Sequence, residues 1–232
     1  MIDHVRDLAS LQAATERLLA AVGKLDNAAL AEPSRLPGWS RGHLLAHLAR
    51  NADALVNVLT GRPMYVSAEA RDADIERDAP RPLHVHLADL RESAARFEDT
   101  AAAPADWTRT VTLRNGVTDV AARVPFRRLV EIEVHHVDLG IGYELEDLAD
   151  DFVAREIDFL ADRFSGNPGV PALRLVATAD GPGGAQWRSG RAEGEPLVVS
   201  GPAAELMGWL AGRRDGAALE RAGGPLPALP PL

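Results

Sequence analysis

The sequence predicts an α+β fold, with an antiparallel helical bundle followed by a small C-terminal α/β domain. Over roughly the first 165 residues, apolar side chains recur at steps of three and four, which places them on one face of an α-helix. Several long helices with broad apolar faces are typical of a bundle. At the Gly-Asn-Pro-Gly segment 166–169 the pattern changes to short apolar runs between turn residues, which indicates strands. We therefore expect domains over residues 1–165 and 166–232.

Five long helices are predicted in the first domain. Ser40 is the predicted N-cap of the second helix, and Gly61-Arg62-Pro63 ends it. Pro125 suits the first turn of the fourth helix. Between the third and fourth helices, Asn115-Gly116 predicts a short hairpin or irregular segment. The predicted helices cover residues 3–22, 40–59, 84–99, 125–141 and 148–164.

The second domain is predicted to contain two strands and one helix. A turn at Gly181-Pro182-Gly183-Gly184 and a short piece around Trp187 separate the strands. The tail over residues 223–232 is rich in Pro, Gly and Leu, and we expect it to be extended or disordered. The strands cover residues 173–178 and 197–200, and the helix covers residues 202–211.

Composition excludes several classes of function. The chain has 25 Lys and Arg against 34 Asp and Glu, a net charge of −9, which argues against a nucleic-acid partner. Cysteine is absent, so disulfides, thiolate metal sites and a cysteine nucleophile are excluded, and any thiol chemistry needs a thiol from outside. No apolar run approaches about 18 residues, so we expect neither a signal peptide nor a membrane span, and a cytoplasmic location.

Histidine and glutamate cluster in two of the predicted helices. In the second helix, His43 and His47 are four residues apart and lie on neighbouring turns of one face, a spacing that suits a shared metal. The sequence of the fourth helix from residue 131 to residue 136, EIEVHH, offers two Glu/His pairs. At about 100° per residue, these pairs lie on opposite flanks of that helix, and periodicity permits either of them. The pairs are Glu131 with His135 and Glu133 with His136.

One interpretation of these clusters is a metal site. A histidine of the second helix would meet one Glu/His pair of the fourth. Two neutral imidazoles and one carboxylate would leave the fourth position of a tetrahedral zinc ion open for water or substrate. The alternative is that these are half-exposed polar side chains flanking the core faces of their helices. The pattern alone leaves both interpretations open.

Two segments resemble the mycothiol-dependent maleylpyruvate isomerases, members of the DinB-like metal-binding superfamily. They are LPGWSRGHLLAHLARNADAL at residues 36–55 and EIEVHHVDLG at residues 131–140, with a weaker match in GPAAELMGWLAGR at residues 201–213. The resemblance implies a helical bundle with a divalent metal, usually zinc. It implies that the metal ligands are His47, Glu131 and His135. It implies that the neighbouring side chains have other roles, namely those of His43, Glu133 and His136.

The resemblance also implies a C-terminal α/β domain that contributes an arginine to the site. Arg213 matches that position, and its guanidinium would clamp a substrate carboxylate with two parallel hydrogen bonds. Arg214 follows directly, where family members often have glycine. The alternative for Arg213 is an arginine that binds the last carbonyls of its own helix.

The implied reaction is the cis–trans isomerisation of maleylpyruvate to fumarylpyruvate. Mycothiol, a small thiol of actinobacteria, would add to the double bond and later leave, and the metal would either activate the thiol or polarise the keto group. The absence of cysteine agrees with a borrowed thiol. The expected partner is a small-molecule carboxylate, and no obligatory protein partner is inferred. Alternatives are a mycothiol S-transferase acting on another electrophile and a binding module without catalysis.

Overall fold

The structure, a computed structural model, describes residues 2–103, 105–178 and 184–231. Within these ranges the chain forms two compact units, one up to Tyr143 and one from Glu144 onward. The α+β class predicted from the sequence is confirmed, with a helical first unit and a sheet in the second. Among the described residues, no helix is both long enough and apolar enough to cross a membrane.

Six α-helices and a short hairpin form the described part of the first unit. The third helix packs against the fourth, fifth and sixth, and the first packs against the fifth and sixth. The four long helices predicted before residue 143 are present. The helices are α1 His4–Val22, α2 Asn27–Ala31, α3 Arg41–Leu59, α4 Ala68–Asp78, α5 Leu83–Ala102 and α6 Val124–Asp138, and the hairpin strands are β1 Thr110–Thr112 and β2 Thr118–Val120.

The ends of these elements follow from local chemistry. The Ser40 hydroxyl caps α3 by accepting from the backbone N–H of His43, and the Ser40 N–H donates to the His43 ring. Helix α6 stops at Asp138, three residues before the predicted end, because Gly140 takes a φ of +64° that a helix cannot continue through. Asn115 and Gly116 both have positive φ in the β1–β2 turn, as the predicted hairpin requires.

The core of the first unit is built from the apolar faces of its long helices. Leu18 of α1, Leu44 and Leu48 of α3 and Ile132 of α6 are almost completely buried. A polar contact crosses this core, since the buried Arg128 of α6 donates to Asn51 Oδ1 of α3 at 2.8 Å. The packing of α3 on α6 brings together the two helices that carry the Glu and His clusters considered for a metal site.

The second unit is a mixed four-stranded sheet with two α-helices among its described residues. The strand order is β4-β3-β5-β6, in which β3 and β5 are parallel and the other pairs are antiparallel. Helix α7 packs against α8 and β4. The elements are α7 Asp150–Phe164, β3 Leu173–Ala177, β4 Gln186–Ser189, β5 Leu197–Gly201, α8 Ala203–Leu210 and β6 Glu220–Ala222.

The boundary between the units differs from the prediction at 165/166, because α7 groups with the sheet and not with the bundle. Its buried face includes Ile157 and Leu160, and Ser189 Oγ of β4 donates to the backbone oxygen of Ala161 at 2.6 Å. The predicted Gly181–Gly184 turn falls largely outside the described residues. From residue 223 to 231 the tail contains no helix or strand, and the prediction for this segment is an extended or disordered tail.

Candidate metal centre

Three side chains on α3 and α6 meet at one point. His47 Nε2 lies 3.0 Å from Glu131 Oε2 and 3.2 Å from His135 Nε2, and His135 Nε2 lies 3.2 Å from the same Glu131 oxygen. In the part of the chain that the structure describes, these three residues form the only group of His, Cys, Asp or Glu donors spaced to hold a metal ion. We call them the triad.

The geometry around His135 tests whether the triad fits a metal. Its Nδ1 lies 2.8 Å from Asp138 Oδ2, and because a carboxylate only accepts, Nδ1 carries a proton. When His135 is neutral, its Nε2 therefore presents a lone pair to the Glu131 oxygen. Two lone-pair donors that face each other at 3.2 Å need a cation between them, either a proton or a metal ion. The donor set of two imidazoles and a carboxylate fits zinc.

The charge states of Glu131 and His47 suit metal binding. Burial lowers the pKa of His47, although the Glu131 carboxylate opposes this. Burial would raise the pKa of Glu131, but hydrogen bonds from His135 and His47 outweigh it and hold that pKa well below its usual range. Burial would lower the pKa of His135, but Asp138 and Glu131 outweigh it and raise that pKa. Near neutral pH, Glu131 is thus an anion and His47 a neutral imidazole, the forms that bind metals.

Aromatic rings and a guanidinium surround His47. The Trp39 ring lies 5.4 Å from the His47 ring, centroid to centroid. Arg71 Nη2 approaches His47 Nδ1 at 3.3 Å, and the guanidinium carbon lies 5.9 Å from the centroids of both the Trp39 and Tyr65 rings. The triad therefore has a positive charge beside it.

Sequence reasoning missed Arg71, because α4 has no apolar periodicity, and it missed Tyr65, which lies in the loop before α4. Its sequence, AEARDADIERD, has Ile75 as its one large apolar residue. A start signal was nevertheless present. Ser67 caps the helix by accepting from the N–H of Ala70 at 3.1 Å, and Glu69 lies in the first turn.

The other histidines and the other glutamate of the two clusters have different partners. His43 belongs to the cap of α3, and its Nε2 lies 3.3 Å from Glu76 Oε2. Glu133 accepts from Arg17 Nη2 at 2.5 Å and from the Tyr143 hydroxyl at 2.9 Å. His136 stacks on the Tyr143 ring at 4.1 Å. Of the two pairs that periodicity allowed on α6, the structure brings only Glu131 and His135 to His47.

Arg213 lies in the second unit, just after α8. Its Nη1 donates to the backbone oxygen of Ala211 at 2.8 Å, which is the helix-end contact considered as the alternative for this residue. Arg214 pairs with Glu205, and also with Glu146 at 2.7 Å. Both acidic partners belong to the second unit. Arg214 therefore links α8, through Glu205, to the segment before α7, through Glu146.

Comparison with known proteins covers almost the whole chain. Residues 11–140 match the model of the mycothiol maleylpyruvate isomerase N-terminal domain, and residues 147–231 match that of the MDMPI C-terminal domain. These two ranges lie on either side of the boundary between the compact units. A search of curated proteins finds no match.

Two solved structures share the fold. One is the crystal structure of the mycothiol-dependent maleylpyruvate isomerase, and the other is that of a histidine-to-alanine mutant. Each is 26% identical to this chain, with a TM-score of 0.86, and the match covers 99% of this chain and 97% of the other. With domain models matched in both units, the chain belongs to the mycothiol-dependent maleylpyruvate isomerase family.

Proposed function

We propose that the protein is a metal- and mycothiol-dependent cis–trans isomerase that acts on maleylpyruvate or a related maleyl compound. The observation that carries this proposal is the convergence of His47, Glu131 and His135 on one point. The second support is the resemblance over 99% of the chain to a crystal structure of the mycothiol-dependent maleylpyruvate isomerase. The proposal includes a cytoplasmic location.

A divalent cation, which we propose to be zinc, would be held by Nε2 of His47, a carboxylate oxygen of Glu131 and Nε2 of His135. When bound, it supplies a Lewis acid with a position left for a ligand from outside the chain. Asp138 serves this site by keeping the proton on His135 Nδ1, so that Nε2 is free to coordinate. The cysteine-free chain offers no thiol, and we propose that the added mycothiol is the nucleophile that makes the double bond rotatable.

Arg71 supplies a positive charge where an anionic substrate needs it. A protein of net charge −9 repels a dianion at long range, so binding requires a local cation. The carboxylate paired with Arg71 is that of Asp72, whose side chain is 61% exposed, whereas that of Arg71 is 12% exposed. An ion pair with so exposed a partner is weak, so a substrate carboxylate can replace it at small cost.

We also propose that Arg213 binds a substrate carboxylate, as the family resemblance implies. Replacing Arg213 with Ala should raise the KM for a carboxylate substrate by about tenfold, because a charge-assisted hydrogen bond is lost. The melting temperature should change little, since Arg213 donates to a carbonyl close to its own position in the chain. Steady-state kinetics of Arg213→Ala check this, and an unchanged kcat/KM would remove Arg213 from the site.

The activity itself is tested with purified protein and maleylpyruvate, with and without mycothiol and after treatment with a metal chelator. We expect turnover only when both metal and mycothiol are present, and recovery when zinc is returned to the treated protein. Mycothiol should not be consumed, because it leaves after each turnover. Stoichiometric consumption would instead identify an S-transferase. Isomerisation without mycothiol, or the absence of any reaction in the complete mixture, would contradict the proposal.

A further inference from the structure

A second feature of the first unit, separate from the triad, has the character of an anion site. An open cavity of about 550 Å³ lies between the end of α3, the loop that follows it and the β1–β2 hairpin. Its volume is within the range of small-molecule sites. The cavity is lined by Val58, residues 61–65, Ser67, Ala68 and residues 109–115. We call it the arginine pocket.

The arginine pocket is lined by positive charge alone. Arg62, Arg109 and Arg114 contribute to its wall, and no Asp or Glu is among its lining residues. Arg109 Nη2 donates to the backbone oxygen of Leu59, and Arg62 Nε donates to Thr60 Oγ1 at 3.1 Å. Both acceptors are neutral groups, so neither contact cancels the charge of the guanidinium.

The chain as a whole carries an excess of acidic residues. Among the residues that the structure describes, Arg62, Arg109 and Arg114 form no ion pair, in contrast to Arg50, Arg81 and Arg127, which pair with Asp. Three guanidinium groups around one cavity attract an anion, although the Asp106 carboxylate, outside the lining, interacts electrostatically with Arg109. Ser67, Thr110, Thr112 and Asn115 add side chains that can form hydrogen bonds.

Tyr65 connects the arginine pocket with the triad. Its side chain lines the pocket, and its ring lies 5.9 Å from the guanidinium carbon of Arg71, which approaches His47 at 3.3 Å. Burial raises the pKa of Tyr65, and the nearby Glu131 carboxylate raises it further, which also places Tyr65 close to the triad. Tyr65 thus belongs both to the wall of the arginine pocket and to the surroundings of Arg71.

We propose that the arginine pocket binds the far carboxylate of an elongated dianionic ligand whose other end lies at Arg71 and the triad. This inference rests on the proposed function for the identity of the ligand, a substrate with a carboxylate at each end. Under this inference the pocket is a specificity site, because it favours dianions over monoanions of equal length. Arg62 and Arg114, the two exposed arginines of its lining, are the residues that make this distinction.

Binding of a matched pair of probes tests the inference. Muconate and sorbate share a six-carbon diene chain, but muconate has a carboxylate at both ends and sorbate at one. Calorimetric titration of the purified, metal-loaded protein, without thiol and at fixed ionic strength, should show muconate binding at least about tenfold more tightly than sorbate. In Arg62→Gln/Arg114→Gln this preference should fall to about twofold or less, while the affinity for sorbate stays unchanged.

Arg91→Gln is the matched control, because it removes the same charge from an exposed arginine of α5 that is not in the pocket lining. It should keep the preference for muconate. The inference is overturned if the wild type does not prefer muconate, if Arg62→Gln/Arg114→Gln keeps the preference, or if Arg91→Gln loses it.

Circular dichroism verifies folding, and the single variants Arg62→Gln and Arg114→Gln replace the double variant if it does not fold. Because no turnover is measured, the result is independent of whether the proposed isomerisation occurs.

Discussion

At the scale of single residues, Asp138 determines how the triad can work. It is completely buried, accepts from His135 Nδ1 at 2.8 Å, and its backbone oxygen accepts from the N–H of Arg35. The carboxylate thus fixes both the ring orientation and the tautomer of a proposed metal ligand. Such partners typically contribute a factor of about 10 to 100 to metal affinity.

Replacing Asp138 with Ala should therefore weaken zinc binding by about 10- to 100-fold. Asp138→Asn should have a smaller effect, since an amide oxygen can still accept from Nδ1. Competition with a chromophoric chelator measures both affinities, and circular dichroism verifies that the helices are retained. Equal zinc affinity in the wild type and Asp138→Ala would show that the carboxylate does not support the site.

Part of this residue-level arrangement could be predicted from the sequence. Helical periodicity separated Glu131 and His135 from Glu133 and His136, because the two pairs lie on opposite flanks of α6. Periodicity could not choose between the flanks, since it carries no information on which neighbour each flank faces. The structure shows that one flank faces α3 and His47, whereas Glu133 on the other binds Arg17 of α1.

At the scale of elements, the start of α3 positions the histidine that the site needs. Gly42 is in the first turn of that helix, next to the end of α4. A Cβ at Gly42 would lie 2.3 Å from the backbone oxygen of Ala79 and 3.4 Å from that of Leu30. Because both neighbours are backbone atoms, the contact cannot be relieved by a side-chain rotation.

Gly42→Ala should accordingly lower the free energy of unfolding by about 1–3 kcal/mol, in spite of the better helix propensity of alanine. Gly208→Ala in α8 is the comparison, since its Cβ would meet side-chain atoms of Leu145 and Arg214, which can shift. Its effect should be smaller. Urea denaturation measures both variants. A Gly42→Ala protein as stable as the wild type would show that α3 and α4 are not tightly packed at this point.

The elements that could be predicted are those with enough apolar residues to show a period. The long helices of the bundle were of this kind. Helix α2, with five residues, is too short to show one, and α4 is mostly charged. Helix α4 is held by its Ser67 cap and by Asp78, which pairs with Arg77 at 2.8 Å and with Arg50 at 3.5 Å. The partner Arg50 comes from α3, a long-range contact that sequence spacing does not reveal.

At the scale of the whole molecule, the two-part α+β architecture was predictable but its boundary was not. Helix α7 has the apolar face expected of a bundle helix, yet it packs on α8 and β4 of the second unit. A hydrophobic period shows that a face is buried and does not show which elements bury it. The domain-model matches, which end at residue 140 and resume at residue 147, separate the units at the same place as the structure.

We propose that two helices distant in sequence hold one metal ion through His47, Glu131 and His135. His43 provides a matched control on the same helix, because it serves the cap of α3 and contacts Ser40, Glu76 and the Trp39 ring. The His43→Ala protein should lose some stability through the weakened cap. Its metal site should remain.

The most direct measurement is elemental analysis of the wild type, His47→Ala and His43→Ala after dialysis against metal-free buffer. We expect about one zinc ion per chain in the wild type and in His43→Ala, and almost none in His47→Ala, which should keep its helical circular dichroism. A His47→Ala protein with a full equivalent of zinc, or a His43→Ala protein without zinc, would contradict the account.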